Sequence, residues 1–181
     1  MLDSKTARIK MKRMTELVDV INENGAVIET LPRNEVYARN LLHRCAFVLV
    51  LNSRGEILVT KRTASKDVYP SLYEIARGGT CAAGESFEEC AKRELEEEVG
   101  VKNAQLEFLF DFDYKDDLVN ERCRVFKCVW DGELRLQREE VESSFFASEK
   151  ELRKMARERP SEFCPDNLPV LEKARRSKGL F

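Results

Sequence analysis

Two hydrophobic periods run through the chain. His43 to Leu51, HRCAFVLVL, is almost continuously apolar and rich in β-branched residues, which predicts a buried strand. Asn52-Ser53-Arg54-Gly55 is a turn signal. Glu56 to Arg62 is a second strand, ending on Lys61 and Arg62. Upstream, Glu16 to Leu31 holds two apolar runs about Asn24-Gly25, a strong hairpin signal. Pro32 closes that hairpin, and Asn34 is placed to cap a short helix through Leu41. Downstream, Ala104 to Tyr114 and Glu121 to Trp130 read as a strand pair. Asp131-Gly132 turns the chain into a short strand at Glu133 to Leu136, and Arg138 to Phe146 is an acidic loop entering another strand. Ser148 and Glu151 form a capping box for a helix that Pro160 stops; Pro165-Asp166-Asn167 opens a last helix to about Arg176. The pattern predicts an α/β fold, a mixed sheet between helices.

The helical period is sharpest in Gly79 to Val101, GTCAAGESFEECAKRELEEEVGV. Gly78, Gly79 and Gly84 make a loop whose backbone can approach a ligand. Ser86 and Glu89 form a capping box, so a helix starts near Phe87, and Gly100 stands where a left-handed cap belongs. At about 100° per residue, Glu94, Glu97 and Glu98 share one stripe with Phe87 and Cys90. The expectation is three carboxylates turned toward the packed side, with Glu89, Lys92 and Glu96 in solvent. Arg93 can pair with Glu89 or Glu97. Convergent buried carboxylates call for a cation, and an all-oxygen donor set suits a hard ion such as Mg²⁺ or Mn²⁺.

Composition narrows the class. With 181 residues, 43% apolar and 35% charged, the chain reads as a globular protein with a real core. A net charge of −2 gives no electrostatic case for nucleic acid or membrane binding. No apolar run approaches a membrane span, and the N-terminus lacks the apolar core of a secretory signal, so a cytoplasmic protein is expected. Cys45, Cys81, Cys90, Cys123, Cys128 and Cys164 fall mostly in apolar runs and read as reduced core thiols. Residues 1–15 are a basic arm with Lys5, Arg8, Lys10, Lys12 and Arg13, and 16–181 read as one domain.

The spacing Gly79-x5-Glu85-x7-Arg93-Glu94-Leu95-x-Glu97-Glu98-x-Gly100-Val101 matches the Nudix box at every defined position, and the chain resembles that superfamily. The resemblance implies an α/β/α sandwich carrying the acidic loop-helix. It also implies a Mg²⁺-dependent hydrolase (Mn²⁺ as the other ion) of a nucleoside-diphosphate-linked or other organic diphosphate, acting as monomer or homodimer. The implied metal ligands are Glu94, Glu97, Glu98 and the Gly79 carbonyl. Glu94, with Glu97 as the other candidate, takes the proton of the attacking water. Glu85 and Arg93 hold the loop and helix. Arg62, Lys61 and Arg77 are candidate phosphate contacts, since guanidinium groups suit phosphate oxygens. Glu142 is a further candidate acid, because many Nudix enzymes carry one on this loop.

Beyond the box, LVDVINENGAVIETLPR, LLHRCAFVLVLNSRGEILVTKR and SKDVYPSLYE resemble the branch related to isopentenyl diphosphate isomerase. Its isomerases need a Cys and a Glu across the allylic carbons, the Cys within a Cys-Gly-His run just ahead of the box. This chain has Gly78-Gly79-Thr80 there, with Cys81 one position beyond; Glu121 fills the Glu slot, and His43, the only histidine, matches a metal-binding His. The hydrolase constellation is complete and the isomerase constellation half erased. An isomerase and a non-catalytic nucleotide-sensing module stand as the alternatives. Tyr69 and Tyr73 are candidates to stack on a base.

Overall fold

The computed structural model describes residues 15–175. In chain order these form β1 (Leu17–Ile21), β2 (Val27–Pro32), α1 (Arg33–Ala38), β3 (His43–Leu51), β4 (Ile57–Arg62), β5 (Tyr73–Glu74) and β6 (Arg77–Thr80). The order continues with α2 (Phe87–Val99), β7 (Glu107–Lys115), β8 (Asn120–Val129), β9 (Val141–Ala147), α3 (Glu149–Glu158) and α4 (Asn167–Ala174). The basic segment 1–15 lies outside the described residues apart from Thr15.

β3 is the centre of a mixed sheet. It pairs antiparallel with β1, β4 and β6, and parallel with β8 from His43↔Glu121 to Leu51↔Val129. β4 pairs with β5 on the edge it shares with β3 and with β9 on its other edge, and β7 extends the sheet from β8. Because β3 is covered on both faces, both of its side-chain sets are apolar. Cys45, Phe47, Leu49 and Leu51 pack with Leu152 of α3 and with Val170, Leu171 and Ala174 of α4. Ala46, Val48 and Val50 pack with Cys90, Ala91, Leu95 and Val99 of α2. The result is the expected α/β/α sandwich, with each fully buried Leu or Val contributing about 1.5–3 kcal/mol.

The hairpin forms where Asn24-Gly25 placed it, and Gly25 adopts a φ of 80°. Both capping boxes are present, at Ser86/Glu89 and Ser148/Glu151. All six cysteines are free and buried. Three expectations change. Pro32 precedes the first turn of α1, and Asn34 makes no cap. Tyr73–Glu74 and Arg77–Thr80 are short strands, which so few residues do not signal locally. Glu133 to Leu136 is not a strand: Arg135 N donates to Val99 O at 2.9 Å and Gln137 N to Glu98 O at 2.9 Å. This segment satisfies the open carbonyls at the end of α2 instead of joining the sheet.

Candidate active site

β6 brings the glycines against β3. A Cβ on Gly78 would lie 1.8 Å from the Ala46 carbonyl oxygen, so only glycine allows this pairing. A Cβ on Gly79 would lie 2.9 Å from Glu94 Oε1, so Gly79 opens the space the carboxylate uses. The loop then enters α2 through Ser86, and Gly100 ends the helix at a φ of 74°.

Arg93 ties loop to helix. It donates to both oxygens of Glu85, at 2.8 and 2.9 Å, to Glu94 Oε1 at 2.6 Å and to Thr80 O at 3.2 Å. Glu85 also accepts from Ala82 N at 2.8 Å. Glu85, Arg93, Glu94 and Gly79 are thus brought together, although the Gly79 carbonyl accepts from the thiols of Cys45 and Cys90 at 3.1 and 3.4 Å.

The acidic stripe is narrower than expected. Glu94 and Glu98 are buried, at 5% and 1% exposure, whereas the Glu97 side chain is 43% exposed. Helical geometry explains the split: Glu98 lies about 40° to one side of Glu94 and Glu97 about 60° to the other, at the edge of the packed face. Arg93 still reaches Glu97 at 3.6 Å.

Glu98 lies in a buried ionic network. Lys66 Nζ is 3.7 Å from Glu98 Oε1 and 2.7 Å from Glu140 Oε2, and Arg77 Nη1 is 4.0 Å from Glu98 Oε2. Glu98 Oε2 has no hydrogen-bond donor. Burial pushes the Glu98 carboxyl up to about 7, against the pull of Lys66 and Arg77 and with help from Glu74 and Glu94. Lys66 and Glu140 belong to this centre and were not legible as such in the sequence. Glu140 is one of several acids in REEVE, and only the register of β9 on β4 selects it.

The remaining candidates are placed as follows. Arg62 and Arg77 both donate to Glu74, and Arg77 also to Thr60 Oγ1, with its side chain wholly buried. Burial pushes the Glu74 carboxyl up, but the two guanidinium groups outweigh it and hold it at about 2. Arg77 therefore lies beneath the site and does not face an incoming ligand. Lys61 and Glu142 pair with each other at 3.0 Å on the exposed side of β4 and β9, apart from this network. Strand alternation explains the parting of Lys61 from Arg62. Tyr69 donates to Asp116 at 2.5 Å and is buried, and Tyr73 packs on Phe145 and Phe163.

His43 Nδ1 donates to Leu41 O at 2.9 Å, and Nε2 stands 3.6 Å from Glu121 Oε1. Cys81 packs on the α2 side of the sheet. Glu121 faces the opposite side, with Cys123 at 3.8 Å and Cys45 beside it in a small cavity of about 50 Å³. Gly79, Thr80, Glu94, Arg62 and Lys66 also line that cavity.

Among the described residues, no three His, Cys, Asp or Glu side chains converge as metal ligands as they stand. The donors nevertheless fit a hard divalent cation. They are carboxylates, Glu94, Glu98 and Glu140 are buried, one buried oxygen lacks a donor, and the Lys66 ammonium already occupies a cation's position between Glu98 and Glu140.

A mixed sheet between helical layers, with a glycine loop feeding a capped acidic helix, defines the Nudix class of α/β proteins. The chain belongs to the NUDIX domain family, whose model matches residues 41–166. It is 39% identical to an uncharacterized Nudix hydrolase of Pseudomonas aeruginosa, over 86% of this chain and 91% of that protein. A crystal structure of a Deinococcus radiodurans protein superposes with a TM-score of 0.74 at 23% identity, covering 90% of this chain and 99% of that one. The NUDIX domain of Shewanella oneidensis NrtR, complexed with ADP ribose, superposes with a TM-score of 0.60 at 17% identity, covering 81% and 98%. Members of this family generally use divalent metal ions. Among the described residues, no helix is long and apolar enough to cross a membrane.

Proposed function

We propose that this protein is a Mg²⁺-dependent hydrolase of an organic diphosphate, with Mn²⁺ able to replace Mg²⁺. The observation that carries the reading is the pair of buried carboxylates, Glu94 and Glu98, beneath the Gly79 loop, one of them with an oxygen that no donor satisfies. Glu94, Glu98 and Glu140 would hold the ion, with Glu97 at the exposed edge. When bound, the ion offsets diphosphate charge and acidifies a water.

The chain's own groups supply the rest. Glu94 faces the cavity and is the acceptor for the proton of the attacking water; the water oxygen bonds to phosphorus as the anhydride P–O bond breaks. Arg93 orients Glu94 and anchors the loop through Glu85, so both act by positioning. Arg62, at the cavity wall, and Arg77, beneath it, keep the floor positive through Glu74. Cys81, the thiol next to the isomerase Cys slot, packs on the α2 side of the sheet and does not share the Glu121 cavity, which counts against the isomerase alternative.

The test is phosphorus NMR with Mg²⁺ against nucleoside di- and triphosphates, nucleotide sugars, ADP-ribose and isopentenyl diphosphate. Phosphate or nucleotide products that disappear with EDTA, and that Glu98→Gln lowers by orders of magnitude with the fold intact, are expected. Dimethylallyl diphosphate without hydrolysis would establish the isomerase. Nucleotide binding with no turnover would establish the sensing module.

A further inference from the structure

The family model begins at residue 41, so the β1–β2 hairpin lies ahead of it. The hairpin nonetheless reaches the glycine loop between β6 and α2. All five backbone amides of residues 81–85 find acceptors within the protein. Cys81 N donates to Arg44 O at 2.9 Å, Ala82 N to Glu85 Oε2 at 2.8 Å and Glu85 N to Ala82 O at 3.0 Å. β1 takes the other two: Ala83 N donates to Leu17 O at 2.8 Å and Gly84 N to Asp19 Oδ2 at 2.8 Å. Asp19 is therefore a side chain through which the hairpin holds the loop.

Asp19 is built for that contact. Strand alternation turns it away from Val18 and Val20, which pack on Val36 of α1. Its Oδ1 accepts from Thr30 Oγ1 at 2.8 Å, and Oδ2, which holds Gly84, also accepts from Arg44 Nη2 at 3.2 Å. Burial raises the Asp19 carboxyl, but Gly84, Thr30 and Arg44 together keep it below its usual value. It is therefore ionised, and its bond to Gly84 is charge-assisted. Gly84 has a φ of 75°, a left-handed turn that this bond fixes. The next residue is Glu85, whose two oxygens hold Arg93, and Arg93 holds Glu94 Oε1 at 2.6 Å. A chain of contacts thus runs from Asp19 through Gly84, Glu85 and Arg93 to Glu94.

We infer that Asp19 is a positioning residue for the reaction: it fixes the tip of the loop and, through Glu85 and Arg93, the place where the Glu94 carboxylate stands. This rests on the diphosphate-hydrolase reading and adds to it a residue that the family model does not cover. The amides of residues 81–85, already spent inside the protein, make the loop a rigid mount for Glu85 and not an anion cradle. Asp19 does not line the cavity beside Glu94, so it governs the rate of the chemical step and not the grip on the substrate. Removing its carboxylate leaves Gly84 N without its acceptor and Arg44 without its ion-pair partner, and frees the loop tip to turn.

The test compares three variants of the full chain. Asp19→Ala removes the acceptor of Gly84 N. Asp19→Asn restores it, because its oxygen can stand in for Oδ2 while its amide donates to Thr30 Oγ1. Val18→Ala weakens the hairpin from its other face and is the structural control. In metal-free protein, Asp19→Ala should shift the Arg93 Nε resonance in nitrogen NMR and speed hydrogen exchange at the Gly84 amide. Asp19→Asn should keep most of the wild-type behaviour, and Val18→Ala should leave the Arg93 resonance in place. With Mg²⁺ and a diphosphate that the wild type hydrolyses, Asp19→Ala should lower kcat about ten- to a hundredfold and leave KM within about threefold. Asp19→Asn should recover most of that loss. Asp19→Ser, one bond too short to reach Gly84 N, gives the same reading should Asp19→Ala not fold. An unmoved Arg93 resonance with wild-type kcat in Asp19→Ala, or equal losses of kcat in Asp19→Ala and Val18→Ala, would remove this inference and leave the hydrolase reading standing. A shifted Arg93 resonance in a protein whose wild type turns over no diphosphate would remove the hydrolase reading and leave Asp19 as the anchor of the loop.

Discussion

Glu74 offers the sharpest test of how the floor of the site is held. Its carboxylate accepts from Arg62 Nη1, from Arg77 Nη1 at 2.6 Å and from Thr60 Oγ1 at 3.4 Å, with only about 8% of the side chain exposed. Arg77 is more dependent on this contact than Arg62. It is wholly buried, its Nε and Nη2 have no hydrogen-bond acceptor, and its nearest other carboxylate is Glu98, 4.0 Å away. Glu74→Gln keeps the shape but leaves two guanidinium groups facing a neutral amide. Breaking a buried ion pair on one side costs about 3–5 kcal/mol. The proton linkage gives a similar figure. A carboxyl held at about 2 instead of 4.5 contributes about 3 kcal/mol, present above pH 4.5 and lost as pH falls toward 2. Urea denaturation of wild type and variant, repeated from pH 2 to 7, reads both quantities. The expected result is a gap of about 3 kcal/mol or more at pH 7 that closes through pH 4.5 to 2. A gap below about 1 kcal/mol, or one that does not change with pH, refutes the reasoning.

Glu98 should behave in the opposite sense. Its folded pKa is raised from 4.5 to about 7, so without metal its contribution is unfavourable by about 3 kcal/mol above pH 7 and vanishes below pH 4.5. Metal-free protein should therefore lose stability from this group as pH rises from 4.5 to 7. Glu98→Gln should be more stable than wild type at pH 8 without metal, and a melting scan showing no gain would count against the burial assigned to Glu98. Gly79→Ala should push the Glu94 carboxylate aside, lowering kcat by one or more orders of magnitude while circular dichroism stays native. Gly78→Ala should prevent folding, because its Cβ would enter the Ala46 carbonyl. Lys66→Met should tighten Mn²⁺ binding several-fold in an electron paramagnetic resonance titration, by removing the ammonium between Glu98 and Glu140. Lys61→Met, whose partner Glu142 lies apart from this network, should leave Mn²⁺ affinity unchanged.

What the sequence determined by itself is local in origin. The hairpin at Asn24-Gly25, the two capping boxes, the Gly100 cap and the β3 strand each depend on residues within a few positions of one another. Turn geometry and helical or strand periodicity decide such features before any tertiary contact forms. The inward course of Glu94 and Glu98 belongs to this class, because residues four apart share a helical face. The tertiary structure decided whatever depends on where separate segments meet. Glu97 stands at the edge of the helical stripe, so the packing around α2 had to settle its exposure. Strand alternation allowed either Lys61 or Arg62 to face the site, and only the placement of β4 chose Arg62. REEVE offered several acids, and the docking of β9 buried Glu140 while leaving Glu142 on the surface. Glu133 to Leu136 has a strand-like pattern, yet the open carbonyls of α2 claimed its amides. The anchor of the glycine loop joins Leu17 and Asp19 to Ala83 and Gly84, and no short-range pattern in the chain links those two segments.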